Sequence, residues 1–225
     1  MNTYDRYYQI IASIHGILGL VIFVTGAMQF LLRKGTKLHK NTGYIHFISW
    51  IGILITGAYL GSMVIVAIVL LGFYLNITGI RAAIIKNRPY TSTDKVIVAA
   101  AALIVLCMLW TAVMLVLEGK YVFATLSFFF SLLYSFVVGR DVLFYLYNKK
   151  TVFKTNYGNM GWYVNHLTRM QFSFITAVGA FTAVQNIFNN TILNFTVPAA
   201  VGFLIIRKST AYLIHKSKIE SRPTE

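Results

Sequence analysis

The chain has 225 residues, of which 57% are hydrophobic and 12% charged, and its mean hydropathy is +0.68. A soluble domain carries about 25% charged residues, so this composition excludes a globule covered by water. The net charge of +14 does not signal a nucleic-acid interface, because the basic residues stand in four short clusters between long apolar runs and not along one face.

A helix that crosses a bilayer needs about 20 mostly apolar residues. Seven runs meet this: Tyr8–Leu31, Gly43–Leu60, Met63–Ile85, Lys95–Leu117, Tyr121–Leu146, Trp162–Gln185 and Ile192–Ile214. The expected fold is all-α: one domain over residues 1–225, a bundle of about seven transmembrane helices in a lipid bilayer. The first run lacks the basic leader and small-residue cleavage site of a signal peptide and is expected to stay in the mature protein. Gly61 and Ser62 alone separate the second run from the third, which predicts a tight helical hairpin. The lone cysteine, Cys107, lies inside the fourth run and reads as a small apolar side chain. The longest connection, Tyr147 to Gly161, is polar and basic; Asn186 to Thr191 is short and uncharged.

Orientation follows from the basic residues. Arg33, Lys34, Lys37 and Lys40 follow the first run; Arg81, Lys86 and Arg88 stand at the end of the third, with Lys95 opening the fourth. Arg140, Lys149, Lys150 and Lys154 close the fifth, and Arg207, Lys208, Lys216, Lys218 and Arg222 close the chain. Seventeen of the 20 Lys and Arg therefore fall at alternate ends of the spans. This predicts an N-terminus outside and a C-terminus in the cytoplasm.

Small residues at helical spacing account for packing: Gly57 with Gly61, Ala12 with Gly16, Ser173 with Ala177 and Gly179 with Ala183. A Thr-Gly dipeptide recurs at Thr25-Gly26, Thr56-Gly57 and Thr78-Gly79, an echo too short to define a repeat.

Polar residues at membrane depth need a partner or a task. By helix rise, His39, His46, Asp141, His166 and Arg169 are expected in one layer near the cytoplasmic face. His166 and Arg169, spaced i and i+3, share a helix face. Two readings of this layer stay open. One is an Asp141–Arg169 ion pair with the histidines as hydrogen-bonding glue. The other is a ligand set, in which His46 and His166 take the two axial faces of a b-type haem and Arg169 neutralises a propionate. His15 lies roughly 20 Å away by helix rise, as a hydrogen-bonding residue or as one that touches a proton or a quinone. Asn76 needs a hydrogen-bond partner, and Pro198 is expected to kink the last helix. Asn189-Asn190-Thr191 and Asn194-Phe195-Thr196 match the glycosylation pattern but sit close to the membrane. The chain carries no nucleotide loop, no HExxH and no nucleophile elbow. It also lacks a mid-membrane lysine in the last run, which excludes a retinal Schiff base.

Three stretches together resemble an uncharacterised family of bacterial multi-pass membrane proteins. The first is His15 followed by the basic turn Lys34-Gly35-Thr36-Lys37-Leu38-His39-Lys40-Asn41-Thr42-Gly43. The second is Arg140-Asp141, and the third is His166-Leu167-Thr168-Arg169-Met170; Pro198 in the last helix also matches. The resemblance implies a bacterial cytoplasmic membrane and points to His15, His39, Asp141, His166 and Arg169, without an activity. It does not require His46, which would make His39 the substitute haem ligand. Three functions are therefore expected as alternatives. One is a redox, haem- or metal-binding protein passing electrons between a quinone and a cytoplasmic donor. The second is a transporter of a small solute or ion. The third is a non-catalytic assembly partner of another membrane protein.

Overall fold

A computed structural model of the chain describes residues 3–61, 63–86, 88, 91–146 and 160–220. They form seven helices and no strand: α1 Thr3–Leu31, α2 Lys37–Leu60, α3 Met63–Ile85, α4 Ser92–Leu117, α5 Tyr121–Leu146, α6 Gly161–Val184 and α7 Thr191–Glu220. Six are long and apolar enough to cross a membrane. The exception is α6, which matches them in length but carries Asn165, His166, Thr168, Arg169, Gln171 and Ser173. Most of the basic connection after α5, with Lys149, Lys150 and Lys154, lies outside the described residues, as does Arg222.

Several helices overrun the apolar runs, because hydropathy marks the part of a helix at bilayer depth and not its hydrogen-bonded ends. α2 begins at Lys37 instead of Gly43, since the Thr36 hydroxyl accepts from the backbone N–H of His39 and caps the first turn. His39 therefore lies inside α2, not in the loop before it. α4 begins at Ser92, ahead of the expected Lys95, because Thr91 and Asp94 form a capping box. At the other end of α2, the Gly61 N–H returns to the Gly57 carbonyl at 2.7 Å.

Contacts group the chain into two compact units, Met1–Phe73 with Ser173–Pro198, and Tyr74–Phe172 with Ala199–Glu225. In the first unit α1 and α2 pair, and the core is Ile22, Trp50, Ile53 and Val69, with Leu18 and Phe73 packed against it. Gly52 faces Leu18 closely: a Cβ there would stand 2.6 Å from Leu18 Cδ1, which would have to move aside. The turn between α6 and α7 is stitched by Asn194, whose amide donates to Asn186 Oδ1 and accepts from the Phe188 N–H. Asn194 is buried and Asn190 caps α7 through the N–H groups of Ile192 and Leu193. The acceptor Asn194 is therefore engaged in structure and not presented for glycosylation, whereas Asn189, the acceptor of the other stretch, is exposed. In the second unit α4 and α5 pair, the Ser127 hydroxyl donating to the Met108 carbonyl, and Ala101, Val105, Met108, Ala124 and Val138 are buried. Large apolar side chains such as Leu103, Trp110, Phe136 and Ile55 stay exposed, as a lipid-covered surface requires. Cys107 is exposed on α4, and Pro198 lies within α7.

Candidate functional site

The first unit holds three of the histidines singled out above. His46 is buried at 1% exposure. Its Nε2 accepts from the indole N–H of Trp50, one turn along the same helix, at 3.1 Å. An indole nitrogen only donates, so Nε2 is unprotonated and Nδ1 carries the proton. Nδ1 then donates to Thr25 Oγ1 on α1 at 3.0 Å, and the Thr25 hydroxyl donates to its own Val21 carbonyl at 2.6 Å. His15 on α1 meets Thr56 on α2 at 2.8 Å, and Thr56 donates to its own Gly52 carbonyl at 2.7 Å. The two helices thus exchange histidines reciprocally, which makes them antiparallel. His39 contributes its backbone, the carbonyl accepting from the Gln29 amide at 3.0 Å.

The second unit holds Asp141, His166 and Arg169. Arg169 and Asp141 form an ion pair, Nη2 to Oδ1 at 2.5 Å, with side-chain exposures of 5% and 2%. The Tyr74 hydroxyl donates to the other carboxylate oxygen at 2.5 Å, and the Tyr74 ring lies 5.5 Å from that of Tyr134. Two further contacts hold the guanidinium independently of the carboxylate: Nε donates to Asn165 Oδ1 at 2.9 Å and Nη1 to Thr78 Oγ1 at 2.7 Å. The Thr78 hydroxyl donates to the Tyr74 carbonyl. His166 Nδ1 bonds the Gly79 carbonyl at 2.8 Å. A Cβ at Gly79 would lie 3.0 Å from Met170 Sδ and 3.2 Å from Arg169 Cβ. Glycine is thus what lets α6 come close enough for both bonds.

All three Thr-Gly dipeptides therefore do one job. Each threonine hydroxyl donates to a carbonyl one turn back on its own helix and so offers a lone pair to a basic side chain of another helix: His46 at Thr25, His15 at Thr56, Arg169 at Thr78.

A second acid–base pair lies in the same unit. Arg81 grips Asp94 with two N–H groups, Nε to Oδ1 at 2.7 Å and Nη2 to Oδ2 at 3.0 Å. The Thr91 N–H and hydroxyl also donate to Asp94 Oδ2, at 2.7 and 2.6 Å. Both pairs line one cavity of about 20 Å³, closed on its apolar side by Ile85, Ile97 and Val98. It has room for one water-sized species. Four helices supply the charges: α3 Arg81, α4 Asp94, α5 Asp141 and α6 Arg169.

Arg140, next to Asp141, is exposed and outside this cavity lining. Asn76 is fully buried, and neither atom of its amide has a hydrogen-bond partner among the described residues. The same is true of the Tyr134 hydroxyl. No group of three or more His, Cys, Asp or Glu side chains among the described residues is arranged to hold a metal ion. As an axial haem ligand His46 would have to give up Trp50 or Thr25, because both its ring nitrogens are already bonded inside the protein.

The residues missed in the sequence were the partners: Tyr74, Thr78, Asn165, and Arg81 with Asp94. A signal for the threonines existed. His15 precedes Thr25-Gly26 by ten residues, and His46 precedes Thr56-Gly57 by the same interval. Nothing in the local pattern marks Tyr74 or Asn165.

Comparison of the chain with protein-family models, with curated proteins and with solved structures finds no match.

Proposed function

We propose that this chain is a transporter of a small ionic solute, set in a membrane with its N-terminus outside and its basic loops in the cytoplasm. One observation carries the reading: two ion pairs, drawn from four different helices, line a single small cavity. Charge in the hydrocarbon layer is expensive, and where it persists it marks an ion or substrate path more often than a scaffold. The alternating clusters of Lys and Arg support the orientation.

The redox reading has weaker support, because the histidine ring best placed to ligate is committed at both nitrogens. The test is flux. Purified protein in sealed liposomes should carry at least one of chloride, nitrate, sodium or potassium faster than protein-free liposomes. It should lose that flux in Arg169→Gln that still folds. A folded wild-type protein with no flux of any of these ions sinks the reading and shifts the weight to an assembly role.

A further inference from the structure

We propose that the solute is a small monovalent anion of about halide size, which binds Arg169 in place of Asp141 and travels with the proton that Asp141 takes up. This rests on the transporter reading above and names its substrate class and coupling.

The first support is the way Arg169 is held. Asn165 and Thr78 fix its Nε and Nη1, so the guanidinium keeps its place when the carboxylate on Nη2 leaves. The site is a cation anchored by two neutral groups, with its third corner open to exchange. The cavity lies beside that corner, lined by Arg169 and Asp141 together.

The second support is charge conservation. A buried charge stripped of its partner is strongly unfavourable. Arg169 therefore cannot release Asp141 unless another negative charge takes over, and Asp141 cannot leave while ionised. Both conditions are met when one proton and one monovalent anion arrive together. Before the exchange the site holds Arg169 as cation and Asp141 as anion; afterwards it holds Arg169 as cation, the solute as anion, and a neutral Asp141. Net charge is zero in both states. The Tyr74 hydroxyl goes on donating to Asp141 Oδ2, since a neutral carboxyl keeps a carbonyl oxygen to accept it. The groups that face Asp141 are Arg169 on α6, Tyr74 and Arg81 on α3, and Asp94 on α4, with the tilted ring of Tyr134 beyond Tyr74.

The third support is the unequal hold on the second pair. The Arg81 side chain is 24% exposed, that of Asp94 only 5%. If Arg81 turns away, Asp94 keeps both Thr91 donors. Arg81, held by Asp94 and by the Thr91 hydroxyl, is thus the more exposed of the two cations and the first to meet an anion at the cavity mouth. The cavity volume of about 20 Å³ restricts the anion to about the size of one water molecule. The Ile85, Ile97 and Val98 wall disfavours a second negative charge, which would carry a tightly held water shell.

The test uses wild-type protein in liposomes with a pH dye inside and an inward gradient of chloride, bromide or nitrate. The lumen should acidify, one proton per anion, at the same rate with and without valinomycin and equal potassium to clamp the potential. A sulfate gradient should do nothing. Arg81→Gln, at a half-exposed position, should lower the initial rate at low anion concentration about tenfold with the proton ratio unchanged. Asp141→Asn that folds should move anion without protons. Anion flux that is voltage-driven and carries no proton overturns the proposal and leaves the transporter reading standing, as does flux of sodium or potassium alone. No flux of any ion overturns both.

Discussion

The Nδ1 of His46 on α2 lies 3.0 Å from the Oγ1 of Thr25 on α1, and His15 on α1 repays the contact at Thr56 on α2. Four residues at matched intervals thus clamp two neighbouring helices at two levels. Inside a bilayer there is no hydrophobic force to do so, and such bonds stand in for it.

Thr25→Val keeps the shape and removes the acceptor. It should cost about 0.6 to 2 kcal/mol, read as a lower melting temperature in detergent. Thr111→Val is the comparison: its hydroxyl bonds only its own Cys107 carbonyl on an exposed face, and its loss should change little. Equal effects of the two would show that the Thr25–His46 bond adds nothing.

Gly26 lies against the ring of Phe174, where a Cβ would overlap the ring atoms. Gly26→Ala should therefore destabilise the protein by about 1 to 3 kcal/mol, and Phe174→Leu in the same chain should recover most of it. Gly16, with nothing within 4 Å of its would-be Cβ, should accept alanine without loss. Thermal unfolding of these three variants beside the unaltered chain decides this; a Gly26→Ala that needs no compensation contradicts the close packing.

Removing one member of the Asp141–Arg169 pair leaves the other charge buried. Asp141→Asn and Arg169→Gln should each cost about 3 to 5 kcal/mol. Together they should cost much less than their sum, while the flux lost in Arg169→Gln is not restored. That combination separates stability from activity. A double variant as unstable as the singles added together would mean that the two side chains are not coupled.

Asn76 is buried with both amide atoms unpartnered among the described residues, so Asn76→Leu should raise the melting temperature, by about 1 to 3 kcal/mol of stability. A fall instead would show that the amide is bonded in the working protein, to a water, a solute or another chain.

Because both nitrogens of the His46 ring are bonded internally, the purified protein is expected to be colourless, oxidised or reduced with dithionite. A Soret band that shifts on reduction and is lost in His46→Ala or His166→Ala would restore the haem reading.

The helical, membrane-embedded character of this chain was legible in its sequence because it depends on composition over windows of about 20 residues, and composition needs no knowledge of neighbours. Helix α6 is where that signal weakens, since its polar residues are satisfied by protein partners, not by water, and hydropathy cannot tell the two apart. The need of Asp141 and Arg169 for partners was also legible, from the cost of charge at depth. Their actual bonding was not. Tyr74, Thr78 and Asn165 lie 67, 91 and 4 residues from the group each one serves, and only folding brings the first two within reach. The Thr-Gly dipeptides show the division most clearly. As sequence they are three small, helix-compatible pairs; in the fold each receives a basic side chain from another helix. A hydrogen bond between helices is set by their rotation and separation, quantities that no single run of residues contains and that the tertiary structure alone decided.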